Sequence, residues 1–261
     1  MDDVSTGAFA NAVDRRSVGP TNEFLRSAQI YLCLMASIVA VRVIITFWIP
    51  TIFKNRGQEG IFSWPFIVGM TVLGLPAIWL CGKTGIPAMW DKAVSTWWRI
   101  WLPLLLGVAL GGVAVLSDVT LHHTKILEAI TGQRSINIAF PSSVLIYPTA
   151  AIAVNVIFYL LPIPLLVWLV SNLLLKGRAQ ASVYWVVAAL AASVEPMGQL
   201  SLLRGHFALI TVWVFAYLVV QELGFNLAEV YFFRRAGFLA TVALRVGHYL
   251  VWHILWGLTG A

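Results

Sequence analysis

The stretch GFLATVALRVGHYLVWHILWG, Gly237 to Gly257, decides how the chain is read. It is apolar over the length a helix needs to cross about 30 Å of hydrocarbon. Yet it carries Arg245, His248 and His253. An ionisable group at membrane depth costs at least a few kcal/mol, so it faces the interior of a helix bundle and carries a functional hypothesis by default. Arg245 and His248 are three residues apart and Trp252 follows four later, which puts all three on one helical face. His253 is turned about 140° away from His248.

The rest of the chain has the same character. Apolar residues make up 60% of the 261, charged residues only 11%, and the mean hydropathy is +0.86. That balance excludes an ordinary soluble domain and fits a polytopic membrane protein. Runs of membrane length fall at about 28 to 51, 62 to 82, 99 to 117, 143 to 174, 182 to 202, 206 to 232 and 237 to 258. The fourth is long and contains Pro148, Pro162 and Pro164, so it reads either as one kinked span or as a span plus a partial helix. The expected fold is therefore an all-α transmembrane bundle of seven or eight spans. Residues 28 to 261 form its single domain, and residues 1 to 27 form a polar N-terminal tail without the apolar core of a signal peptide. No internal repeat or second domain is visible.

The net charge of +6 lies in the loops and needs no nucleic-acid partner. With seven spans, one side collects Arg15, Arg16, Arg26, Lys83, Lys92, Arg99, Lys176, Arg178, Arg234 and Arg235. The other collects Lys54, Arg56, Lys125, Arg134 and Arg204. Ten against five predicts a cytoplasmic N-terminus, with a bacterial inner membrane as the expected location. The longest loop on the opposite side, Ser117 to Ser142, holds Asp118, His122, His123, Lys125 and Glu128 and is the expected extramembrane helix or partner-binding loop. The tryptophans Trp90, Trp97, Trp98 and Trp101 flank a span boundary as an aromatic belt does. Cys33 and Cys81 sit inside apolar runs and read as small core residues.

Beside the last span, the ionisable groups at membrane depth are Arg42 in the first, Glu195 in the fifth, and His206 and Glu222 at the ends of the sixth. Asn155, Tyr159 and Gln199 are the uncharged polar candidates. Glu195 is expected to pair with Arg245 or Arg42 within the bundle, or to work as a catalytic base with His248. A helix holds two ligands of one metal only at spacings of three or four, so His248 and His253 predict no metal site. A haem or pigment on a single imidazole of His206, His248 or His253 stays open, although no cofactor is required.

The segment GFNLAEVYFFRRAGFLATVALRVGHYLVW resembles the last two helices of the CPBP (Abi, CAAX-protease and bacteriocin-processing) intramembrane protease family. The turn RRAGFL matches that family's arginine-rich turn and His248 its last histidine, with Trp252 where a polar residue stands. Glu195 and Gln199 occupy the family's Phe-x-x-x-His positions; Leu202 and His206 are the alternative placement. The paired glutamates followed by arginine align with Val154, Asn155 and Tyr159. The resemblance covers about 147 to 254 and implies the fold together with a dismantled site, since neither valine nor asparagine can act as a general base. It implies a non-catalytic scaffold, assembly or accessory subunit whose partners are lipids and other membrane proteins. The binding face would comprise Arg245, His248, Trp252, Gln199, Asn155 and Tyr159. Two alternatives stay open: an intramembrane peptidase with a rearranged Glu195/His248 site, and a pigment, haem or quinone-associated subunit of an energy-converting complex.

Overall fold

The computed structural model describes residues 20–48, 60–132, 137–202, 206 and 210–259. Among these every regular element is a helix: α1 Pro20–Trp48, α2 Trp64–Lys83, α3 Trp97–Leu121, α4 His123–Thr131, α5 Ser142–Leu174, α6 Gln180–Leu202, α7 Val212–Ala236 and α8 Phe238–Thr259. Six of them (α1, α2, α3, α5, α6 and α8) are long and apolar enough to cross a membrane. The protein is an all-α helical membrane bundle. α7 is 25 residues long but carries Glu222, Glu229, Arg234 and Arg235, and it packs against α6, α8 and α3.

The proline-rich run is one helix, not two. Pro162 and Pro164 supply no N–H and their rings crowd the preceding turn. The chain answers by widening: Val156–Leu160 forms a π turn, and the Leu161 amide reaches back five residues to the Val156 carbonyl at 3.0 Å. Further π turns occur at Trp97–Trp101, Trp168–Leu174 and Leu250–Leu255. The sixth expected span also shifts. Its helix begins at Val212 and runs to Ala236, which moves Glu222 from a span end to the middle of the helix and leaves His206 outside it, exposed.

Two ends of the bundle are tied separately. At the end where α1 starts, Met89 N–H donates to Ser27 Oγ at 3.2 Å, Gln180 Nε2 to the Lys83 carbonyl at 3.0 Å, and Arg234 Nη1 to the Thr84 carbonyl at 2.7 Å. Arg99, grouped with the loop cations by sequence, is buried there. It donates to the Asp91 and Val94 carbonyls and stacks 4.4 Å over the Trp90 ring. At the opposite end, His253 Nδ1 meets Asn137 Oδ1 at 2.8 Å and Trp256 Nε1 donates to Asp118 Oδ2 at 3.0 Å. Cys81 is buried as expected; Cys33 instead faces outward.

The pair α3–α8 packs backbone to backbone. A Cβ at Gly107 would overlap the Leu244 carbonyl, and one at Gly247 the Leu104 carbonyl. Small residues at a crossing let membrane helices approach closely enough for van der Waals contact to replace the hydrophobic effect. This contact sets α8, with Arg245, in the interior of the bundle.

Candidate functional site

The side chains that do not belong in lipid converge on Arg245, which is 1% exposed. Its guanidinium holds two carboxylates in two parallel forks. Nε donates to Glu229 Oε1 at 2.8 Å and Nη2 to Glu229 Oε2 at 2.5 Å. Nη1 donates to Glu195 Oε1 at 3.0 Å and Nη2 to Glu195 Oε2 at 2.8 Å. Tyr249 Oη, at 3.2 Å, and Asn226 Oδ1, at 3.1 Å, complete the shell. A guanidinium has five N–H groups in a planar fork, and here every nitrogen has an acceptor. The Phe225 ring lies 5.1 Å from Cζ.

Three helices, α6, α7 and α8, supply this shell, and α5 backs it. Asn226 is itself fixed, accepting from Tyr159 Oη at 3.0 Å and donating to the Ala192 carbonyl at 3.1 Å. Asn155 donates to the Ala151 carbonyl at 2.8 Å and to Glu229 Oε1 at 3.4 Å. Tyr159 reaches Asn226 from the π turn that the prolines impose on α5. Burying an ion pair carries a large desolvation cost that is offset only when geometry is good and the remaining polar atoms are satisfied. The double fork meets that condition for the guanidinium and its two carboxylates, while the buried Asn155 Oδ1 beside them has no hydrogen-bond partner.

Of the residues singled out by sequence, Glu195, Arg245, Asn155 and Tyr159 come together. Gln199 stands one turn beyond Glu195 on α6 and is not among the side chains that bond Arg245. Arg42 takes no part in the cluster, so the expected choice of partner for Glu195 falls to Arg245. His248 lies beside the cluster, buried, with its ring 4.6 Å from Phe225 and its Nδ1 without a hydrogen-bond partner. Trp252 departs from the face expected for it. The π turn at Leu250–Leu255 alters the register, and the indole stacks on His123 at 5.3 Å rather than joining Arg245. His253 stacks on Tyr147 at 4.3 Å at the bundle end.

Sequence reasoning missed Glu229 and Asn226. Their signal was present: Glu222, Asn226 and Glu229 stand at spacings of four and three along one helical face.

A second polar node closes the far end. Asp118 Oδ1 accepts from Thr124 N–H at 2.8 Å, and His123 Nδ1 stands 3.4 Å from the same oxygen. The chain turns there through His122, whose φ is 51°, so the Asp118 carboxylate caps the start of α4. Burial among Trp252 and Tyr217 holds the His123 imidazole below its usual value, with the Asp118 charge opposing that shift.

The arrangement joins helices by charge and leaves the two inner carboxylates committed to one cation. Among the described residues, no group of three or more His, Cys, Asp or Glu side chains is set to hold a metal ion. No family model matches the chain, and no similar curated protein or solved structure was found.

Proposed function

We propose that this chain is a non-catalytic, CPBP-like integral membrane protein serving as a scaffold, assembly or accessory subunit of a membrane complex. The observation that carries the reading is the double fork on Arg245. A general base has to take a proton from its substrate, and all four oxygens of Glu195 and Glu229 already accept from the guanidinium. His248, the other candidate for such chemistry, has no bond to either carboxylate; its ring packs on Phe225. A polar centre of this kind fixes helix register, the best-attested use of buried charge.

The kinship is supported by the meeting of Asn155, Tyr159, Glu195 and Arg245, which come from the three stretches aligned by the resemblance. An outward face on α6 and α7, with Trp185, Leu190, Met197, Trp213 and Val220 exposed, suits lipid and partner helices. The excess of cations on one side, nine against five once the buried Arg99 is set apart, supports a cytoplasmic N-terminus in a bacterial inner membrane.

Purification from the native membrane in mild detergent tests this reading. A stable complex of fixed stoichiometry, colourless and without peptidase activity, is expected. A purified monomer that cleaves membrane peptides overturns it in favour of a Glu195/His248 peptidase. A visible absorbance band on the purified chain overturns it in favour of a haem or pigment subunit.

A further inference from the structure

Three helix ends meet around Arg234. Its Nη1 donates to the Thr84 carbonyl at 2.7 Å and its guanidinium lies 4.9 Å over the Tyr184 ring, which ties the end of α7 to the end of α2 and the start of α6. Gln180, the first residue of α6, donates from Nε2 to the Lys83 carbonyl at 3.0 Å and to Asn172 Oδ1 at 3.3 Å. Gly85 lies against both side chains. Its φ is 69°, a conformation that glycine adopts without strain, and a Cβ there would stand 3.3 Å from Arg234 Nη1 and 3.6 Å from Gln180 Oε1. The turn from α5 into α6 is pinned as well: Gly177 N–H donates to the Ser171 carbonyl at 2.8 Å and Ser171 Oγ to the Arg178 carbonyl at 3.0 Å.

This junction gathers positive charge and supplies no counter-charge. Lys83, Lys176, Arg178, Arg234 and Arg235 lie on its elements, and none of them has an ion pair among the described residues. A guanidinium carries five N–H groups, and the half-buried Arg234 spends one hydrogen bond on Thr84. The depth of the junction is marked by aromatic rings. Trp79 stands one turn before Lys83, whose Nζ is 5.3 Å from the indole centroid, and Trp185 follows Gln180 by five residues. Both indoles face outward, 49% and 44% exposed. Tryptophans just inside a group of cations mark the level of the lipid headgroups. The abundant anion at that level is a lipid phosphate, and the open edge of an arginine fork matches two phosphate oxygens.

We propose that Arg234, supported by Lys83, Lys176 and Arg178, binds the phosphate of an anionic membrane lipid at the junction of α2, α6 and α7. Gly85 keeps backbone rather than a side chain against the guanidinium, and the outward faces of Trp79 and Trp185 offer apolar surface to the acyl chains. A lipid of net negative charge is preferred over a zwitterionic one, because the quaternary ammonium of the latter meets a site that already holds several cations. The site rests on the membrane bundle and not on the accessory-subunit reading, so a chain purified without partners still binds the lipid.

Native mass spectrometry of the whole protein in detergent, with phosphatidylglycerol or phosphatidylcholine of identical acyl chains added, tests the proposal. Retention of phosphatidylglycerol well above phosphatidylcholine is expected. Arg234→Gln should reduce it about tenfold or more, and Lys125→Gln, which removes an exposed cation on α4 at the other end of the bundle, should leave it unchanged. Equal retention of the two lipids, undiminished retention in Arg234→Gln, or an equal loss in Lys125→Gln overturns the proposal. Should Arg234→Gln not be recovered folded, Lys83→Gln, Lys176→Gln and Arg178→Gln together take its place, since all three residues are exposed. The same direction of loss is expected there, and unchanged retention overturns the site. A thermal midpoint raised as far by inorganic phosphate as by phosphatidylglycerol overturns the lipid in favour of a free phosphate.

Discussion

Arg245 and Glu229 are joined twice, Nε to Oε1 at 2.8 Å and Nη2 to Oε2 at 2.5 Å, across two helices separated by the single residue Gly237. Gly237 has φ of 82°, a left-handed conformation that glycine adopts without strain, and a Cβ there would stand 2.8 Å from the Pro87 carbonyl. The turn therefore brings α8 back along α7 so that residues 16 positions apart meet in the core.

Removing the cation leaves Glu229 and Glu195 buried without compensation. Arg245→Met is expected to destabilise by about 3–5 kcal/mol, read as a lowered thermal midpoint in detergent. Adding Glu195→Gln and Glu229→Gln to it should recover part of that loss. A triple variant less stable than Arg245→Met alone would show that the carboxylates are held by something other than the arginine.

The α3–α8 crossing predicts a contrast between adjacent glycines. Gly111 faces α8, where a Cβ would stand 2.9 Å from the His248 carbonyl, whereas Gly112 has nothing within 4 Å. Gly111→Ala is expected to lower the midpoint by several degrees, corresponding to about 1–3 kcal/mol of overpacking. Gly112→Ala should leave the midpoint unchanged or raise it.

The Asp118 carboxylate joins three elements through Thr124 N–H and Trp256 Nε1. Asp118→Ala removes the cap of α4 and leaves the half-buried Trp256 indole N–H without its acceptor, at a cost of about 1–2 kcal/mol. Hydrogen exchange should speed up at the start of α4 and the end of α8 together. Faster exchange confined to α4 would show that Trp256 anchors nothing.

His123 gives the protein an acid-sensitive end. Its folded-state value lies below the ordinary 6.5 because of burial. The unfolded chain therefore binds more protons in the window beneath 6.5, and stability falls as pH drops through it. Thermal midpoints measured downward from neutral pH should decline, and His123→Phe, which retains the stack on Trp252, should flatten the decline. An equal slope in both proteins would move the effect to another group.

Much of this was legible in the chain itself. The apolar runs and most of the polar residues inside them followed from composition and periodicity, because a backbone in hydrocarbon must satisfy its own hydrogen bonds as helix; seven or eight spans were expected, and six of the described helices are long and apolar enough to cross a membrane. Glu195 and Arg245 stood out because charge is rare at that depth. Other features resisted. Trp252 lost its expected face because a π turn changes the angle between residues without any mark in the hydrophobic pattern. The start of α7 moved because Thr211 caps it, its Oγ1 accepting from Val214 N–H at 3.3 Å, a local bond that hydropathy does not register.

The sequence by itself determined a helical membrane protein with a few buried charges, since hydrophobic length and helical spacing are local quantities. Only the tertiary structure decided which charges meet. Arg245 could have paired with Glu195 alone, and it took Glu229 as well because Gly107, Gly111 and Gly247 let α8 press against α3 while Gly237 folds it back on α7. Pairing in the interior depends on how closely backbones approach, and that distance is a property of helices packed together rather than of any one of them.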